Sequence, residues 1–533
     1  MQTRHNMSQK EKIGQLFMFG FEGTEVTSGV LSMIEEEKVG SICLFPRNIE
    51  SPGQVKKMNA DLQRAAEQAG HKVPLIISID QENGIVRRLK KGVTAFPGSM
   101  LLGATGDVEA VTDVSHATAK ELDALGVNVN LAPVLDVNNN PYNPVIGVRS
   151  FGAHAEDVAE YGRAFIKGHR DKGVMTCVKH FPGHGDTSVD SHKALPLVKH
   201  PMERLKKVEL YPFSKVLESG VDAVMTSHIH FSNLDDKSVP SSLSKNVTTH
   251  LLRDEMGYQG VVITDSLEMN AIQDSMGTVE GVIEAFKAGA DILLVSHTRQ
   301  LQKQAIKRME NAVHTGEITE KQLDRAVDRI LNLKKKYLSD QHPHEQVSVP
   351  TFVGGEDHRA LARQYYERGV TVLKGNDMLP VKVTPDDIVL AITVRTEVHS
   401  DIEEEQHQEM DLSAVIKDHH MNVKGWTIRP TPDQSDITAI CDAADHSDMV
   451  IIGTDNAFTF QQQVQLIKRL EESGKPLIVI ALRGPYDFSS FPEVPVFIAA
   501  YEPSTAAMRA AVDILFGKVE PKGKLPVTLP GME

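Results

Sequence analysis

The sequence predicts a (β/α)8 barrel followed by a smaller α/β sandwich domain, and three observations predict it. Eight short apolar, β-branched runs alternate with segments of helical period over the first 300 residues. Nearly every run ends in a polar, chemically capable side chain. A second alternating region follows a polar, Pro- and Gly-bearing stretch. Continuous apolar strands alternating with helices imply a parallel sheet covered on both faces, and eight such units in this length fit a closed barrel better than an open doubly wound sheet.

The eight runs are QLFMFGF (15–21), VGSICLF (39–45), VPLIISID (73–80), VNVNLAPVLDV (127–137), GVMTCVKH (173–180), VDAVMTSH (221–228), GVVITDS (260–266) and ADILLVS (290–296). Between them, segments such as VEAVTDVSHATAKELDALG carry apolar residues at i, i+3 and i+4, the helical spacing. The polar strand ends are Asp80, Asp136, Lys179–His180, Ser227–His228, Asp265 and Ser296–His297. In a barrel these ends converge on one rim, where active sites are built.

The stretch 319–338 reads as the last barrel helix. Thr319 and Gln322 form a capping box, and Leu323, Val327, Ile330 and Leu331 make one apolar stripe. Lys334–Lys336 on the same helix reads as a solvated face. Residues 1–338 are thus expected to be the catalytic barrel, 339–358 a linker and 359–533 the second domain. The latter's buried strands read as DIVLAITV (387–394), DMVIIGT (448–454), PLIVIAL (476–482) and PVFIAAY (495–501).

Composition narrows the function. The 533 residues are 41% hydrophobic and 24% charged with a net charge of −15, an ordinary globular balance that disfavours DNA or RNA as a partner. No stretch reaches the roughly 20 apolar residues of a membrane helix. The N-terminus has no apolar signal-peptide core, so a cytoplasmic location is expected. Cys43, Cys177 and Cys441 form no CxxC pair and read as reduced thiols. The second domain lacks GxGxxG and GxxxxGK[ST], so nucleotide binding is unsupported.

The richest chemistry lies in KHFPGHGDTSVDSH, Lys179–His192. A metal site is the first reading, with His180, His184 and His192 as ligands; Pro182 and Gly183 keep the first two off a shared helix face, and no metal or cofactor is expected. A phosphate cradle at Gly183 and Gly185 is the second, but no helix clearly starts there. The third is an acid/base loop, in which Asp190 bonds the imidazole of His192, two residues on, and fixes its tautomer.

This stretch resembles the signature of family-three glycoside hydrolases of the β-N-acetylglucosaminidase branch, two-domain bacterial type. SIDQENGIVRRL (78–89), NLAPVLDVNNNPYNPVIGVRSFG (130–152), TDSLEM (264–269) and the tail GKVEPKGKLPVTLPG (517–531), similar to the family's closing strand region, follow in the family's order. The resemblance implies a retaining exo-β-N-acetylglucosaminidase that removes terminal GlcNAc from peptidoglycan fragments. It implies Asp265 as nucleophile, His192 as acid/base and Asp190 as the residue orienting it. It implies sugar binding by Asp80, Arg88, Arg149, Lys179 and His180, with a small GlcNAc-containing saccharide or muropeptide as the partner. A phosphorylase on the same glycosides, or another β-glycosidase specificity, is the alternative. The residue after Asp265, often a second aspartate in relatives, is Ser266. His184 and His228 remain open, and the second domain is expected to be mainly structural.

Overall fold

The computed structural model describes residues 4–338, 348–397, 400, 402–403 and 411–531. All eight predicted runs of the first region contain strands: β1 Phe17–Phe19, β2 Ser41–Leu44, β3 Ile76–Ile79, β4 Val129–Asn130, β5 Met175–Phe181, β6 Ala223–Thr226, β7 Val261–Thr264 and β8 Leu293–Val295. They pair in parallel in the order β7-β6-β5-β4-β3-β2-β1-β8. A bridge from Ile263 to Ile292 closes the ring, reinforced where Thr264 N–H donates to the Ile292 carbonyl at 3.0 Å and Leu267 N–H to that of Leu294 at 2.9 Å. Phe17, Ile42, Ile77, Cys177, Val224, Val262 and Leu293 are buried along these strands. Only continuous apolar runs survive between an inner core and an outer helix layer.

The last barrel helix, Glu320–Leu338, opens on the expected capping box: Thr319 N–H donates to Gln322 Oε1 at 3.0 Å, and Gln322 N–H returns to Thr319 Oγ1 at 3.3 Å. One of its three lysines corrects the sequence reading, while Lys335 and Lys336 are exposed as expected. Lys334 is fully buried, donating to Gln15 Oε1 and the Gly40 carbonyl at 2.8 Å each, and burial lowers its ammonium to about 7. Lys336 pairs with Asp222 at 2.9 Å.

Residues 339–347 of the expected linker lie outside the described residues. The helix Glu356–Gly369 starts inside that stretch, because Gly355 and the acidic Glu356 and Asp357 suit a helix entrance. It packs on the barrel: His358 Nδ1 lies 2.7 Å from Glu121, and Tyr365 donates to Asp113 at 2.6 Å.

The second domain is a six-stranded sheet, β9 Thr371–Lys374, β10 Val389–Val394, β11 Val423–Ile428, β12 Met449–Thr454, β13 Leu477–Ala481 and β14 Val496–Ala499. Its order is β9-β14-β13-β12-β10-β11, with β9 alone antiparallel. The four predicted strands are the inner ones. The edges β9 and β11 carry Lys374, Lys424 and Gly425 and expose much of their length, so they lack the apolar continuity of buried strands. The tail expected as a closing strand forms none. It runs extended against the barrel, where Lys524 N–H donates to the Ala104 carbonyl at 2.7 Å and the Pro526 carbonyl accepts from Ala153 at 3.0 Å.

Candidate active site

The C-terminal ends of the barrel strands open onto a cavity of about 390 Å³. Asp80, Arg88, Arg149, Lys179, His180, His192 and Asp265 all line it, so the structure gathers seven of the eight residues singled out from sequence around one space. Asp190, the eighth, lies behind His192.

Asp265 directly follows β7. Its backbone N–H donates to the Thr226 carbonyl at 3.0 Å, and its Oδ1 accepts from the Ser266 N–H at 2.7 Å. The next helix, Asn270–Gln273, has Met269 at its cap, so Asp265 is not spent capping a helix. Burial pushes its carboxyl up, but the imidazoles of His228, His180 and His192 together with the Ser266 amide hold it below the ordinary aspartate value. It therefore faces the cavity as a carboxylate.

The loop after β5 delivers His192. Asp190 Oδ1 accepts from both the backbone N–H and the Nδ1 of His192, at 2.9 and 2.7 Å. Burial raises the Asp190 carboxyl, and the His192 contacts more than offset it, leaving it lowered. With Nδ1–H committed to the carboxylate, Nε2 is the nitrogen left to exchange a proton. His184 is the loop's internal strut: Nδ1 lies 2.7 Å from Thr187 Oγ1 and Nε2 lies 2.9 Å from Ser191 Oγ. Burial lowers it to about 4, so it stays neutral. His228 is likewise fixed, with Ser242 Oγ 2.7 Å from Nδ1 and Nε2–H donating to the Ser266 carbonyl at 2.8 Å, next to the Asp265 carboxylate.

A buried ionic chain forms the opposite wall. Lys179 Nζ lies 2.7 Å from both Asp80 Oδ1 and Glu82 Oε1. Arg149 grips Glu82 with two nitrogens at 2.9 and 2.8 Å. Arg88 approaches Asp80 at 3.7 Å and donates to the Ile402 carbonyl at 2.8 Å. Burial opposes the charge on Lys179, yet Asp80 and Glu82 raise it above its usual value; Glu82, in turn, is held far below its own despite burial, by Arg149 and Lys179. His180 Nδ1 is 2.7 Å from Asp136 Oδ2, and Asp136 Oδ1 accepts the backbone N–H groups of His180 and His184 at 3.2 and 2.7 Å. Asp136 is thus a support for the ring and the loop, not a cavity group. Fixed donors and acceptors around a small polar space suit a monosaccharide's hydroxyls.

Sequence reasoning missed Glu82, which organises two of the cations. The signal was there: Asp80 and Glu82 are two apart at a strand end, the spacing that puts both on one side of an extended chain. It also missed Ile402 and Glu403, which line the cavity from the second domain and correct the expectation that this domain is mainly structural. Ile402 packs on Val134, Val145 and Ile146, and Arg483 holds Glu403 at 2.8 Å. No local motif announces a contact made across domains.

The glycosyl hydrolase family 3 N terminal domain matches residues 8–333, and the family 3 C-terminal domain matches 391–533. The chain is similar to beta-hexosaminidase A of Pseudoalteromonas piscicida, 32% identical over 550 residues that span 93% of this chain and 90% of the relative. It is similar to beta-hexosaminidase LpqI of Mycobacterium tuberculosis, 36% identical over 272 residues, 50% of this chain and 69% of that one. Among solved structures, a family 3 beta-N-acetylglucosaminidase from Paenibacillus sp. str. FPU-7 superposes with a TM-score of 0.94 at 41% identity, covering 98% of this chain and 99% of that one. With both of its domains matched in order and the strand-end residues gathered round one cavity, the chain belongs to glycosyl hydrolase family 3 and is a glycoside hydrolase.

Proposed function

We propose that the protein is a retaining exo-β-N-acetylglucosaminidase that removes terminal non-reducing GlcNAc from peptidoglycan fragments. The observation that carries this reading is the opening of the Asp265 carboxylate and the Asp190-bound His192 onto one polar cavity. The names of the relatives, hexosaminidases and an N-acetylglucosaminidase, support the sugar.

In this reading Asp265 attacks the anomeric carbon while the His192 imidazolium gives its proton to the departing oxygen, leaving a covalent glycosyl-enzyme and a neutral imidazole. Water then attacks the anomeric carbon, and His192 takes the proton it loses. An imidazole that has given up its proton adds no second negative charge beside Asp265. Asp190 stabilises the imidazolium and keeps Nε2 turned to the cavity. Asp80, Arg88, Arg149, Lys179 and His180 hold the hydroxyls and the N-acetyl carbonyl.

Trapping with a fluorinated N-acetylglucosamine analogue tests the reading. The expected outcome is a single covalent adduct on Asp265, located by peptide mass spectrometry. An adduct on another residue, or none with an inverted product, overturns it. Turnover of GlcNAc-containing muropeptides should be independent of added phosphate; sugar 1-phosphate as the product would make the enzyme a phosphorylase instead.

A further inference from the structure

The catalytic loop carries a second cluster that the glycosidic chemistry does not use. Asp186 follows the Gly183–Gly185 turn, six residues before His192. His200 lies just beyond the short strand Leu197–Val198, where the loop ends. Glu209 stands at the start of the helix Leu210–Glu218. Each offers one ligand atom, and the three atoms lie within 4.8 Å of one another. The His200 Nε2 and Asp186 Oδ2 are already in contact. This is not a surface patch of acids: Glu209 is buried, and the nitrogen donor comes from a separate segment.

We propose that Asp186, His200 and Glu209 bind one divalent transition ion of the zinc class, and that this ion fastens both ends of the loop bearing Asp190 and His192 to the helix beneath. One imidazole and two carboxylates from the protein, with water in a fourth position, is a donor set that zinc accepts; the imidazole nitrogen favours it over magnesium and calcium, whose sites are built from oxygen.

The packing agrees with such a staple. At Gly183, in the left-handed region with φ 136°, a Cβ would stand 2.8 Å from Glu209 Cβ, so the turn leans directly on this residue. Asn233 Nδ2 donates to the carbonyls of Lys199 and His200, at 2.9 and 3.1 Å, and holds the third segment in place. Burial pushes the Glu209 carboxyl up, and the Asp186 charge adds to that, an electrostatic cost that a cation removes. Arg204, whose Nη1 lies 2.7 and 3.0 Å from the two Glu209 oxygens, supplies part of that cation now. Its side chain is 31% exposed, so solvent can receive the guanidinium when an ion displaces it. Arg204 and the ion are therefore competitors for Glu209.

Calorimetric titration of the chelator-stripped full-length enzyme with Zn²⁺ tests the proposal, with Mn²⁺ as a second probe. The expected result is one equivalent bound by the wild type whose affinity falls on the order of 10- to 100-fold or more in His200→Ala. Asp186→Asn, which preserves side-chain shape, should lose the same equivalent and the zinc-dependent rise in Tm. Arg204→Met should bind the ion more tightly, because the competing cation is gone. Equal stoichiometry and affinity in the wild type, His200→Ala and Asp186→Asn would leave these side chains as a hydrogen-bonded latch and sink the metal site. So would an Arg204→Met affinity no tighter than the wild type's. None of the three substituted groups is assigned to the glycosidic chemistry, so a failure here leaves that reading untouched, and a failed Asp265 trap leaves this one untouched.

Discussion

The Asp265 carboxylate has its charge maintained by neighbours against a burial penalty, and that balance makes its behaviour testable. Asp265→Ala should lose roughly 10³-fold or more in kcat with an unchanged circular dichroism spectrum, since the side chain supports no helix cap. A group whose folded value is lowered stays ionised as pH falls through the ordinary aspartate value of about 3.9, so the acid limb of kcat/KM assigned to Asp265 should lie below that point. His192 acts on the leaving group. His192→Ala should slow a natural disaccharide by about 10²- to 10⁴-fold and a nitrophenyl glycoside far less, because nitrophenolate departs without a proton. Equal losses on both substrates would remove His192 from the acid role. Glu82 is different in kind: it compensates Arg149 and Lys179, and the Glu82→Gln variant leaves two buried cations underpaired. That should cost about 3–5 kcal/mol of stability as well as sugar affinity. Its lowered value means its contribution is complete above the unfolded value of about 4.3 and is lost as pH falls through the folded one. The wild type should therefore lose stability more steeply in acid than Glu82→Gln, read by thermal melts at pH 7 and pH 3.

Elements explain why the sequence was readable where it was. The barrel strands are buried on both sides, so each is an apolar run with little to confuse it, and the polar groups ending six of the eight runs mark the rim. The edge strands β9 and β11 face water on part of their surface, and nothing in TVLK or VKGWTI separates them from a loop. Lys334 misled in the opposite direction: three lysines on a helix read as a wet face, but the helix turns one of them under the barrel to cap the Gly40 carbonyl. The catalytic loop shows the limit of motif reading. Its Asp190–His192 pair is local and legible, whereas the docking that positions it is long-range. At Gly185 a Cβ would stand 1.7 Å from the Val137 carbonyl oxygen, and Asn143 Nδ2 ties the His184 and Gly185 carbonyls at 2.8 and 2.9 Å. Gly185→Ala must push the loop off this seat. The expected outcome is a drop in kcat on natural disaccharides of at least about 10-fold with a smaller change on nitrophenyl substrates, the same pattern as loss of His192 itself.

At the scale of the whole molecule, the catalytic side chains all belong to the barrel, yet the second domain closes their cavity. Ile402 accepts from Arg88 and Glu403 lines the same space, while Asn138 Nδ2 donates to Tyr486 Oη at 2.6 Å and Glu502 accepts from Gly98 N–H at 3.0 Å. These ties are made through the strand-end segments that carry Arg88 and follow Asp136, so the domain acts on the sugar wall and not on Asp265. A barrel cut after Leu338 loses all of them and exposes the apolar face now covered by the helix Glu356–Gly369. It should be less stable than the full chain and prone to associate. Its remaining activity should show a raised KM with kcat on nitrophenyl substrates less affected, because ground-state sugar binding is weakened while nucleophile and proton donor stay in place. A soluble barrel fragment with the full chain's KM and melting temperature would show the second domain to be a passenger, and the contact at Ile402 to be without effect on binding.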